Sequence, residues 1–125
     1  MTAYLNECGI VCALGEGRDA VRAALLRGDS GVVPTERYSP GRTLSLGQAV
    51  HGALPDLGGL PLRHRSRNNQ LALAALAQIR PAVDAAIARY GAARVAIIVG
   101  TSTSGIAQTE AALIEQHASG SLPGD

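Results

Sequence analysis

The stretch IVCALGEGRDAVRAALLRG, residues Ile10–Gly28, decides how the fold is read. An apolar run meets two closely spaced glycines, and a helical pattern follows. The alternation from about Ala3 to Leu14, with Leu5, Ile10 and Val11, predicts a buried strand. From near Gly17 to Arg27 the spacing predicts a helix with an apolar stripe at Val21, Ala24 and Leu25. Glu16 and Asp19 sit at the positive end of its dipole, and Gly28 supplies the stop.

Such a strand, turn and helix can carry a dinucleotide, and Gly15, Gly17 and Ala20 match G-x-G-x-x-A. The chemistry opposes that use. Asp19 puts a carboxylate where a pyrophosphate needs backbone N–H groups. Glu36, the only acidic residue near the required distance for a ribose, follows Pro34 in a loop. A glycine-permitted turn from strand to helix explains the same residues without a cofactor.

Outward from this stretch, residues 29–67 are rich in Gly, Pro and Ser and read as a structured insertion. NNQLALAALAQIRPAVDAAIARYG then gives the strongest helical signal, with Leu73, Leu76, Val83, Ile87 and Tyr90 at three- and four-residue steps. Asn68 or Asn69 is the expected cap and Gly91 the end, with a kink or break at Pro81. RVAIIVG, Arg94–Gly100, predicts a strand buried on both faces. A Ser/Thr turn leads to a last helix from about Ile106 to His117, capped by Thr103 or Ser104. The order of elements makes the class α/β.

Composition narrows the function. There is no Phe or Trp and only three Tyr among 125 residues, so the hydrophobic term of a free-standing core is thin. A net charge of +1 gives no field for nucleic acid. No run approaches about eighteen uninterrupted apolar residues, and no signal peptide opens the chain, so a soluble cytoplasmic protein without a membrane span is expected. Cys8 and Cys12 in one strand would lie about 13 Å apart, too far for a disulfide, and read as inert core thiols. His51, His64 and His117 are scattered, so no metal site is expected, and His117 answers the negative end of its helix.

Two other motifs carry more. GTSTSGI, Gly100–Ile106, lacks the second glycine of a nucleophile elbow because Ser104 stands in its place. It is a small-residue turn that leaves room for a ligand to approach the backbone. RHRSR places Arg63, Arg65 and Arg67 around His64, either as a solvated loop or as a dock for an acidic or phosphate-bearing partner.

Taken together, CGIVCALGEGRDAVRAALLRGDSGV (Cys8–Val32) and RSRNNQLALAALAQIRPAVDAAIARYGAARVAIIVGTSTSGI (Arg65–Ile106) resemble the N-terminal part of β-ketoacyl-acyl-carrier-protein synthases. The resemblance covers essentially the whole chain. GTSTSGI after a long helix and a strand is its more specific part, and the similarity is greatest to ketosynthases of aryl-polyene-type pathways. It implies a thiolase-like layered αβαβα fold, with residues 1–125 forming the N-terminal portion of its first half. It also implies that the glycine turn binds no nucleotide.

The activity implied is a decarboxylative Claisen condensation in fatty acid or polyene/polyketide biosynthesis. The acyl group rides on a cysteine, and the malonyl unit arrives on the phosphopantetheine arm of an acyl carrier protein, with no cofactor bound directly. The family's nucleophile lies in a TACxS-type turn that would fall beyond Asp125, and its histidines lie further still. No catalytic residue is therefore assigned in this chain, and the 125 residues alone are expected to be inactive. The resemblance places Thr103, flanked by Ser102 and Ser104, at the family's acyl-pocket gate. It makes Arg63, Arg65 and Arg67 contacts for the carrier protein. A homodimer, or a heterodimer with a ketosynthase-like subunit, is implied. The alternative is a portion of a non-catalytic chain-length-factor partner; a stand-alone nucleotide-binding α/β module is the third reading.

Overall fold

Helices form where the sequence supplies both a periodic apolar face and an end signal. The structure is a computed structural model and describes residues 3–49, 52–101 and 106–122. Its elements are β1 (Val11–Cys12), β2 (Gly15–Glu16), α1 (Arg18–Arg27), β3 (Val32–Thr35), β4 (Leu44–Gly47), α2 (Arg67–Tyr90) and α3 (Ile106–Ser119). Single 3₁₀ turns at Leu62–His64 and Ala92–Arg94 flank α2.

The opening stretch does not run straight from strand to helix. β1 doubles back on β2 as an antiparallel hairpin, with Val11 opposite Glu16 and Cys12 opposite Gly15. Gly15 (φ 143°) and Gly17 (φ 89°) hold backbone conformations that L side chains avoid, and Gly17 N–H donates to Ile10 O at 2.8 Å. The glycines are thus used by a hairpin and a helix start. α1 closes at Gly28 in the left-handed conformation, with Asp29 N donating to Ala24 O at 3.0 Å. Val21 and Ala24 are buried as their spacing predicts, but Leu25 is 62% exposed because nothing among the described residues covers it.

The expected strand from Ala3 to Leu14 is reduced to Val11–Cys12, and Tyr4 and Leu5 are exposed. The expected strand at Arg94–Gly100 is absent: a 3₁₀ turn takes Arg94, and Val95–Gly100 continues without a ladder. Both differences have one cause. A strand is defined by its neighbour, and the described residues offer neither segment a partner of its length.

Within residues 29–67, β3 and β4 pair antiparallel from Val32 opposite Gly47 to Thr35 opposite Leu44. The root of this hairpin rests on the turn at Ala13, where a Cβ on Gly31 (φ +61°) would meet Ala13 O at 2.5 Å. Further along, Leu57 is buried and Gln70 Nε2 donates to Pro55 O at 2.9 Å, fastening the segment to α2.

α2 begins two or three residues earlier than its asparagines suggest. Ser66 is the cap, its buried Oγ accepting from Asn69 N at 3.1 Å, while Asn69 Nδ2 reaches back to His64 O at 2.9 Å. Asn69 is therefore the capped residue and not the cap. The helix runs unbroken through Pro81, since losing one N–H in the middle of 24 residues leaves cooperative turns on both sides. It is also long and apolar enough to reach across a hydrocarbon core, with a mean hydropathy of 1.4 over eighteen residues. Against that, it carries the Arg80–Asp84 ion pair at 2.8 Å and makes polar contacts to Ile10, the residue before β1.

Those contacts set how the first hairpin sits. Gln78 presents its amide to Ile10 like a neighbouring strand: Ile10 N donates to Oε1 and Nε2 donates to Ile10 O, each at 3.0 Å. Gly9 next door lies so close to α2 that a Cβ there would fall 2.8 Å from Ala75 C and nearer still to Ala75 O.

A core hardly exists. Among the described residues the buried apolar side chains are Val21, Ala24 and Leu57. The chain exposes 9764 Å², against about 6,300 Å² for a compact monomer of 12.8 kDa. Much apolar surface is left for something else to cover.

Candidate functional site

The three arginines singled out from sequence lie together at the N-terminus of α2. Arg63 and His64 lie in the 3₁₀ turn, Arg65 follows it, and Arg67 is the first residue of the helix. All three arginines are exposed. Arg65 Nε donates to Leu60 O at 2.6 Å, which fixes its stem, and none of the three is ion-paired among the described residues.

This arrangement works against the helix and in favour of an anion. The first turn of α2 contains no acidic residue, although a carboxylate there would be favourable. Positive side chains at the positive end of a helix cost about 0.3–1 kcal/mol each at an exposed position. Ser66 meanwhile satisfies one of the free N–H groups, leaving the guanidiniums directed outward as the chemistry of the site.

Thr101 is brought to the same place. Its hydroxyl donates to Asn68 Oδ1 at 2.7 Å, joining the head of the GTSTSG turn to the residue after Arg67. Thr101, more than thirty residues on from Arg67, therefore shares that end of the helix. Ser102, Thr103 and Ser104 lie outside the described residues, as does their expected capping of α3; Thr101 is the nearest point at which that turn can be placed.

No family model, curated protein or solved structure matches this chain.

The glycine turn borders a cleft of about 290 Å³ at the N-terminus of α1. Glu7, Cys8, Glu16, Arg18, Asp19 and Gln78 are among its lining residues. Three carboxylates at the place a pyrophosphate would occupy repel it. Arg18 does not offset them, because it is held by Glu7 at 3.9 Å and Asp19 at 3.6 Å. Cys8 is exposed where a core thiol was expected, and its Sγ lies 4.0 Å from Gly9 O. Cys12 is half-buried in β1, and neither cysteine is in a disulfide. His117 lies in the last turn of α3. Among the described residues no group of three His, Cys, Asp or Glu side chains is placed to hold a metal ion.

Sequence reading missed Gly9 and Gln78. The signal for Gln78 was present, as a lone amide in the apolar run LALAALAQI. Its partner at Ile10 is 68 residues away and could not be read from spacing.

Proposed function

We propose that this chain is the N-terminal portion of a β-ketoacyl-acyl-carrier-protein synthase, and that the α2 N-terminus is where a carrier protein docks. The observation that carries the reading is the Thr101–Asn68 hydrogen bond, which holds Thr101, the residue just before Ser102–Ser104 in sequence, at the helix end that carries Arg67 and its two neighbouring arginines. A carrier protein presents an acidic surface and a phosphopantetheine arm that must thread from that surface to an acyl pocket. Arg63, Arg65 and Arg67 supply exposed guanidinium donors for the first, and Thr101, held at the same helix end, marks the side on which the second would enter. Residues of the reaction itself, the cysteine nucleophile and its basic partners, belong to the complementary part of a thiolase-like fold. Thr103, Ser102 and Ser104 are proposed to border the acyl pocket, where Thr103→Ile in the intact enzyme should shift chain-length preference.

The large uncovered apolar surface supports this reading, since a portion of a layered fold would leave its inner faces bare. The test is carrier-protein binding by the chain and by the Arg63→Glu/Arg65→Glu/Arg67→Glu variant. Loss of three exposed ionic contacts at about 0.5–1 kcal/mol each corresponds to roughly tenfold to hundredfold weaker binding. Equal affinity of the two proteins would remove the reading.

A further inference from the structure

Two adjacent asparagines at the start of α2 reach in opposite directions. Asn69 Nδ2 donates back to His64 O at 2.9 Å, in the basic 3₁₀ turn, while Asn68 Oδ1 accepts from the Thr101 hydroxyl at 2.7 Å. Capping the helix needs neither amide, because Ser66 Oγ accepts from Asn69 N and Ser66 O accepts from Gln70 N, each at 3.1 Å. Their bonds reach outside the helix instead, across 5 residues in one case and 33 in the other.

The groups at this helix end divide by exposure. Arg63, Arg65 and Arg67 are exposed, whereas Asn68 and Asn69 are half-buried. A half-buried amide is satisfied by protein, and an exposed guanidinium stays available to a partner. The basic turn is held a second time, by Arg65 Nε donating to Leu60 O at 2.6 Å. One end of a 24-residue helix therefore carries the arginines and Thr101 on a common frame, with Asn68 as the link on the Thr101 side.

We infer that Asn68 is a positioning residue: its side-chain amide holds Thr101 in register with Arg63, Arg65 and Arg67, so that a carrier protein engaging the arginines is felt at Thr101. This rests on the carrier-protein reading and adds a division of labour to it. The arginines set how tightly the partner binds, and Asn68 sets where Thr101 stands when it does. Such a link matters for a tethered substrate. An arm of fixed length delivers its reacting end only if the docking surface and the entrance it uses keep a fixed separation.

The test is NMR of the 125-residue chain and of Asn68→Ala, Asn69→Ala and Asn68→Asp, first alone and then with an acyl carrier protein. All three variants keep Ser66 and so keep the helix cap. Losing a hydrogen bond of this kind shifts the balance between held and released Thr101 about two- to tenfold. Alone, Asn68→Ala should lower the backbone order parameter of Thr101 and leave residues 63–65 unchanged, and Asn69→Ala should do the reverse. With the carrier protein, Asn68→Ala should bind within about twofold of the unaltered chain, since it removes no charge, yet lose the amide shift at Thr101. Asn68→Asp keeps an acceptor oxygen in place and should restore that shift. Unchanged order at Thr101 in Asn68→Ala, a Thr101 response that survives this substitution, or shifts at residues 63–67 of the unaltered chain with Thr101 unmoved would each overturn the inference and leave the docking surface standing. No shift anywhere in the unaltered chain would remove the carrier-protein reading and this role with it.

Discussion

Replacing Gly9 by alanine tests how the first hairpin is joined to α2. The new Cβ would lie 2.8 Å from Ala75 C, whereas carbon atoms rest at about 3.5–4.0 Å, so the two backbones must separate by about 0.7 Å or more. That displacement acts on the adjacent residue. Ile10 holds both amide bonds to Gln78 at 3.0 Å, and an added 0.7 Å takes them beyond the range of about 3.2 Å in which N–H···O bonds are effective. Two lost bonds at about 0.5–1.5 kcal/mol each, with about 1–3 kcal/mol of overpacking, give roughly 2–6 kcal/mol against the docked hairpin. Amide hydrogen exchange at Ile10 reads this directly. About 2.7 kcal/mol is a hundredfold loss of protection, so Gly9→Ala should exchange Ile10 near the rate of an undocked chain. Gln78→Ala, which removes the bonds without the clash, should lose about tenfold. Ile10 protection within about twofold of the unaltered chain in Gly9→Ala would refute the reasoning.

Ser66→Ala removes the buried cap from Asn69 N and should cost about 1 kcal/mol, seen as reduced helical signal and fraying at residues 67–70. Arg80→Ala should change stability by no more than about 0.5 kcal/mol, because its partner Asp84 and Arg80 itself are more than half exposed; added salt should leave the variant unaffected. Gly28→Ala forces a side chain into φ +79° and should cost about 1 kcal/mol in thermal unfolding, whereas Ala23→Gly in the middle of α1 tests propensity alone. The 125-residue chain by itself should give no condensation product from acyl and malonyl carrier proteins, since no activated cysteine is assigned within it. Turnover by the purified chain would refute that assignment.

What could be read from sequence follows from the range of the interactions. α1, α2 and α3 were legible because a helix satisfies its backbone within itself and announces its end, as Gly28 and Gly91 do. Ser66 was overlooked as the cap because the following asparagines are equally good capping residues, and only the Ser66–Asn69 geometry separates them. The strands at 3–14 and 94–100 were misjudged because apolar content predicts burial, while a ladder needs a partner that spacing cannot supply. The arginines of the site were visible as a charge run. Their meeting with Thr101 was not, because it depends on a contact between Asn68 and a residue 33 positions on.

The central claim is that the α2 N-terminus receives a carrier protein, and residue-resolved NMR titration tests it most directly. Adding an acidic acyl carrier protein to the chain should shift the backbone amides of residues 63–70 and of Thr101 together, with the C-terminal turn of α3 unmoved, and salt should reverse the shifts. Shifts confined to other surfaces, or no shifts at all, would contradict it.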